Sequence, residues 1–434
     1  MTKRRVRLTF YSLSGLFWYS TALITALYVL FLMEKGLNLA HIGIWAGANT
    51  MTVILLEVPT GGLADAWGRG RTFALASLLL SGSLVLMAVV PGIPVLFIGA
   101  VLFGAGRALS SGSLDAWFVD ALKKADPDGD IERDLGMAGG IVLLALAAGS
   151  LTGGALAGLS LPAGLQGDLP PLALPVLTDA GLKIILAVLT LVLIREPRRH
   201  ESPWKALSAS LRTVPQIART AADTIRGVRI LPWLFTGGAA LALGIGAVES
   251  FWQPRFLDLS GINGTGKLAF GAVMAACFAG GAAVSMAAPL VTRILGGKRH
   301  CSAFLFTLLF SGSLLMLAFS ESRGFMAIFM ILCYSIAEGS AVPRRALLND
   351  AVPAEVRATM LSVDSLVMYI GFGGIVGLSF LAQAGGIPAA WKLAAAVIAL
   401  LAFSYVAAGR YVPGRRAPAA CAGILPEKKE TLSV

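Results

Sequence analysis

An aspartate and an arginine four residues apart, Asp65 and Arg69, lie in the glycine-bearing run Gly61-Gly62-Leu63-Ala64-Asp65-Ala66-Trp67-Gly68-Arg69-Gly70-Arg71. The run separates two apolar stretches, 39–60 and 72–90, each long enough for a bilayer crossing of about 20 residues. Charges so placed stand at the membrane face, where they can pair, and glycines let helix ends approach closely. A plainer reading is a short positive loop, since Arg and Gly collect there for topological reasons alone. A second set of charges lies inside apolar segments. Arg107 is well within one, and Asp115 follows two helical turns later, broadly on the same side. An ionised group in hydrocarbon is expensive, so each should face a cavity or a partner. Glu57, Glu249, Glu338 and Asp364 are further intramembrane carboxylates. They could load and release protons as their surroundings change, and structural pairing explains any single one equally well. Asp179 and Lys183, four residues apart near the outer end of their segment, read as a local salt bridge.

These groups need a scaffold of spans. Twelve apolar segments of crossing length fall near 8–32, 39–60, 72–90, 93–122, 135–159, 173–194, 230–252, 267–291, 301–319, 324–346, 356–382 and 388–410. Lys and Arg fix their direction. Lys3, Arg4, Arg5, Arg7, Arg69, Arg71, Lys123, Lys124 and Arg133 fall on one side with the N-terminus, and Arg293, Lys298, Arg299, Arg344, Arg345, Arg357 and the tail follow in the second half. The other side holds Lys35, Arg255, Lys267, Arg323 and Lys392. Both termini are therefore expected in the cytoplasm of a multi-pass protein of the cell membrane. The division reads as a bundle at 1–194, a basic linker at 195–229, a second bundle at 230–411 and a tail at 412–434. An amphipathic stretch from Ala206 to Ile230 could lie along the inner membrane face, as a tether between mobile bundles or as a plain solvated connection.

Composition excludes most other classes. The 434 residues are 56% hydrophobic and 14% charged, with a mean hydropathy of +0.78, more apolar surface than a soluble chain can hide. The net charge of +11 follows the loops and tails rather than one face, so nucleic acid is not the expected partner. Cys277, Cys301, Cys333 and Cys421 show no metal-ligand spacing and read as free thiols. His41, His200 and His300 sit at loop edges. No nucleotide-binding loop and no nucleophile motif occur, which argues against an enzyme or an enzymic cofactor. The charged N-terminus leads into a full-length span with no cleavage site close behind it.

The spacing G-x-L-x-D-x-x-G-R-x-R at 61–71 resembles the signature loop between the second and third spans of the major facilitator superfamily of transporters. An internal repeat agrees: Gly36-Leu37-Asn38 recurs as Gly261-Ile262-Asn263, Ile42-Gly43 as Phe270-Gly271, Gly68-Arg69-Gly70-Arg71 as Gly296-Gly297-Lys298-Arg299, and Gly112-Ser113 as Gly339-Ser340. The resemblance implies an all-α protein of twelve spans in two six-helix pseudo-repeat bundles, with a substrate site between them. It implies a monomeric transporter of a small solute by alternating access, coupled to protons, and no enzyme. Gly61, Asp65, Gly68, Arg69, Arg71 and Asp120 would form the gate, with Asp65 against the start of the eleventh span and Arg69 paired to Asp120. Arg107 resembles the coupling arginine of the fourth span, although Gly112 comes one position later than that motif expects. Glu338, in the other half, would be its alternating partner. The run Gly149-Ser150-Leu151-Thr152-Gly153-Gly154 looks like the fifth-span motif of proton-driven drug exporters with serine in place of proline, which favours efflux of a lipophilic compound over import of a polar nutrient. Trp18, Tyr19, Tyr28, Trp117, Phe251 and Trp252 could line the cavity or serve as packing and interface anchors.

Overall fold

The computed structural model describes residues 1–127, 131–159, 167, 169–194, 196, 203–259, 266–353 and 356–411. Among them the chain is helical throughout. The helices are α1 (Lys3–Thr25), α2 (Tyr28–Glu34), α3 (Leu39–Trp67), α4 (Arg69–Val89), α5 (Ile93–Ser110), α6 (Ser113–Ala125), α7 (Ile131–Ala157) and α8 (Ala173–Leu193), then the linker helix α9 (Pro203–Gly227). The second half adds α10 (Leu231–Asp258), α11 (Leu268–Ile294), α12 (Arg299–Ala318), α13 (Arg323–Ala351), α14 (Arg357–Gly373), α15 (Ile375–Gly385) and α16 (Ile387–Ala408). Among the described residues eleven segments are long and apolar enough to cross a membrane, and twelve when α1 and α2, bent by 49°, count as one.

Each half packs on itself before it meets the other. α1 lies on α7 and α8, α4 on α5 and α8, and α3 on α5; α13 lies on α11 and α12, and α10 and α12 on α16. The halves touch through α7 with α11, α3 with α14 and α15, and α2 with α10. Where apolar helices meet in an apolar solvent, tight packing replaces the hydrophobic effect as the driving force. Small residues mark these contacts. A Cβ on Gly153 would stand 1.9 Å from the Leu23 carbonyl oxygen, and one on Gly271 would stand 2.2 Å from that of Ser150.

Several sequence expectations are corrected. The second span does not end near residue 60: α3 runs on to Trp67, and the turn shrinks to Gly68, whose φ of 115° only glycine adopts without strain. The fourth span is not one helix, because Gly112 at φ 66° separates α5 from α6. Arg344, expected in an inner loop, is buried within α13. Lys183 lies mid-helix rather than at an end, and its ion pair with Asp179 at 3.2 Å is almost wholly buried. Its ammonium also donates to Ser20 and Thr21 at 2.7 Å each and sits 4.4 Å over the Phe17 ring. A charge inside a bundle needs this many partners; the pair ties α8 to α1.

Candidate functional site

The two ends of the molecule are held differently. At the end bearing the glycine run, Arg69 donates to Asp120 at 2.6 Å and to Asp65 at 3.2 Å. The Asp65 side chain is 68% exposed and is held by its own loop through Arg69, not by the start of α14 as the resemblance implied. In this conformation the polar contacts between the halves described below lie mid-molecule and at the opposite end. Arg71 is half-buried on α4 and Gly61 lies exposed within α3.

Sequence reasoning missed Glu196. Its Oε1 accepts from Arg69 N and its Oε2 from Gly70 N, both at 3.2 Å. A carboxylate on the first free amides of a helix compensates orphan donors and the positive end of the dipole together. Glu196→Gln, which keeps the shape and removes the charge, is expected to cost about 1 kcal/mol at α4 and to loosen the loop. Hydrogen exchange at residues 69–72 checks this, and unchanged protection would refute the cap.

The second half carries the counterpart pair, Arg299 with Asp350. Both pairs span 51 residues, so Arg299 stands in the place of Arg69. The glycine echo had set it opposite Arg71; four residues, 295–298, connect α11 to α12 where Gly68 alone connects α3 to α4.

Mid-molecule, Arg107 has charged and hydroxyl neighbours from both halves. Glu57 of α3 and Tyr28 of α2 come from its own half, Glu249 of α10 and Tyr369 of α14 from the other. Glu249 also neighbours Tyr334 and Glu338 of α13. One Glu57 carboxylate oxygen and the Tyr28 hydroxyl are buried with no hydrogen-bond partner among the described residues, while the Tyr334 hydroxyl faces the Glu249 carboxylate. Asp115 stands apart from this group and is exposed, because the break at Gly112 turns α6 out of the register of α5. Asp364 is committed elsewhere, paired at 2.5 Å with buried Arg344. Glu338 reaches α11, with its Cγ 3.0 Å from where a Cβ on Gly281 would stand. Among the expected carboxylates, Glu249 and Glu57 are the ones within electrostatic range of Arg107.

The aromatic expectations divide as well. Tyr28 packs on Trp45, with centroids 4.9 Å apart, and on Phe103 at 6.2 Å; Phe103 is one turn before Arg107. Trp117 and Trp252 are not cavity residues but buried core, Trp117 among Phe10 and Phe118 and Trp252 against Phe256 and Phe270. Tyr19 is partly buried against the core. Trp18 is exposed on α1 with its ring edge-on to Phe17.

At the opposite end a second residue escaped sequence reasoning. Gln253 of α10, 2% exposed, reaches into the break between α1 and α2. Its Oε1 accepts from Val29 N at 2.9 Å and Leu30 N at 3.3 Å, and its Nε2 donates to Thr25 O at 3.0 Å. Val29 N and Thr25 O are the donor and acceptor that an unbroken helix would join, so the amide stands inside the ladder, a recognised cause of a sharp kink. Nearby, Leu39 N donates to Gln383 of α15 at 3.1 Å. The 149–154 run serves this closure: a Cβ on Gly154 would meet Lys267, Leu268 and Gly271 at 3.1–3.2 Å.

A family model described as Major Facilitator Superfamily matches residues 10–377. No curated protein matches the sequence significantly. Among solved structures, the nucleoside transporter NupG superposes with a TM-score of 0.73 at 15% identity, covering 93% of this chain and 98% of that one. A bacterial homologue of the human lysosomal transporter Spinster, inward-facing and unoccupied, gives 0.72 at 16% identity over 94% and 97%. The peptide transporter POT in complex with sulfate gives 0.68 at 16% over 94% and 96%.

Proposed function

The chain belongs to the Major Facilitator Superfamily, whose fold serves secondary transport of a small solute rather than an enzymic reaction, and we propose that it exchanges protons for a lipophilic compound moved outward by alternating access. The observation that carries the proton coupling is that Arg107 stands within electrostatic range of Glu57 from its own half and Glu249 from the other, without an ion pair to either among the described residues. A carboxylate can carry a proton through a cycle if its ionised form is stabilised in one conformation and deprived of its partner in the next. Rigid-body rocking of 1–194 against 230–411, joined by 195–229, does this for Glu249 but hardly for Glu57. The Arg69 network acts as the gate on the cytoplasmic side, and a single copy in the cell membrane contains the whole pathway. The tail at 412–434 lies outside the described residues.

The Tyr28 and Phe103 rings near Arg107 suit an amphiphilic solute. A second reading, entry of a polar solute, is favoured by the Tyr28 hydroxyl and the Glu57 carboxylate oxygen, buried without hydrogen-bond partners among the described residues. The test is transport of a labelled compound panel in proteoliposomes with the pH gradient imposed in each direction. Movement of lipophilic compounds against the proton flow supports exchange. Uptake of a polar compound with the proton flow establishes the second reading, and gradient-independent movement of every transported compound removes proton coupling.

A further inference from the structure

The linker helix α9 carries Arg212, Arg219 and Arg226 at intervals of seven residues. At 3.6 residues per turn these fall in one narrow stripe along the helix, and all three are exposed. The opposite face is covered by protein. Ala221 is buried, and Ile225 and Val228 pack with Leu231, Leu234, Leu347, Leu348 and Met360. Toward its start, α9 lies on α3, where Ser210 fills the space of a Cβ on Gly62. Between the covered face and the basic stripe runs an uncovered apolar strip. Leu211 is 52% exposed, and Pro215 and Ala218 are exposed beside it. Among the described residues the stripe pairs with one carboxylate, Asp223, 3.5 Å from Arg226 at the surface, so the arginines keep a net positive charge.

A helix with one face on the spans, an apolar strip beside that face and arginines next to the strip matches the layers of a membrane surface: acyl chain, then headgroup phosphate. We propose that α9 is a docking site for acidic phospholipids, with Arg212, Arg219 and Arg226 binding headgroup phosphates and Leu211, Pro215 and Ala218 lying against the acyl boundary. Guanidinium forks suit phosphate oxygens, and the seven-residue register places one arginine for each two turns, about 10 Å along the bilayer plane. Since α9 touches both α3 and α14, a lipid bound along it links the two halves to the composition of the leaflet.

The test uses the full chain reconstituted in phosphatidylcholine bilayers containing spin-labelled phosphatidylglycerol or spin-labelled phosphatidylcholine, with electron spin resonance reading the motionally restricted lipid. Each basic residue beside an anionic surface is worth about fivefold in association. The wild type is expected to prefer phosphatidylglycerol severalfold, and R212Q/R219Q/R226Q to lose most of that preference. A control, R4Q/R5Q/R345Q, removes equal charge from exposed positions elsewhere and should keep it. Full preference in the first variant overturns the proposal, and so does an equal loss in the control. Loss of the wild-type preference when inorganic phosphate replaces chloride at matched ionic strength would show a free-phosphate site instead and equally overturn it.

Discussion

Glu249→Gln is expected to abolish gradient-driven accumulation while sparing downhill exchange of the same solute. The substitution keeps the shape of the side chain beside Tyr334 and Arg107 and removes only the proton and its charge. Arg107 sits on α5 and Glu249 on α10, so the distance between them changes as the halves rock. Every 1.4 kcal/mol of interaction lost between the two states changes their discrimination about tenfold. Glu338→Gln, also exchanged for its neutral isostere, should retain accumulation, since Glu338 touches α11 instead. The measurement is accumulation ratio against imposed pH difference in proteoliposomes, with counterflow as the downhill readout. Should Glu338→Gln lose accumulation and Glu249→Gln keep it, the coupling role passes to Glu338 and the reading from proximity fails.

The choice between these two carboxylates marks where the sequence stops informing. Spans, direction of the repeat and the Arg69–Asp120 pairing are carried by local signals: hydropathy over some 20 residues, Lys and Arg placement, and a glycine-bracketed charge motif. Depth within a span is not so carried. Glu249 reads as near the outer end by counting residues, yet the neighbours that give it meaning come from α5 of the other half and α13 of its own, both far away in sequence. Asp115 was aligned with Arg107 by assuming an unbroken helical period; one glycine at φ 66° cancels that phase. Lys183 and Arg344 show the same limit, since a buried ion pair and an interfacial positive residue have identical composition. Glu196 follows the sixth span and looks like ordinary loop charge until the fold brings it to the amides of Arg69 and Gly70. No local pattern could have found it.

Gln253→Met should shift the resting population toward opening at the end opposite the glycine run, by about one to two orders of magnitude. The clamp consists of three hydrogen bonds from one buried amide to Val29 N, Leu30 N and Thr25 O, each worth about 0.5–1.5 kcal/mol net. Methionine fills similar volume but makes none of them, so the closed state would hold unpaired backbone groups at the α1–α2 break. When the halves part at this end, Val29 N can bond Thr25 O directly and the 49° bend can straighten into one helix. The open state therefore lacks a penalty that the closed state of the variant carries, and the equilibrium moves by the difference. Because Glu249 and Gln253 are one turn apart on α10, the same motion that withdraws the amide also moves the carboxylate relative to Arg107, which couples closure to protonation. Spin labels at the exposed positions Met33 and Leu257 report the opening as a longer distance, and a wild-type distance distribution in Gln253→Met would refute the clamp.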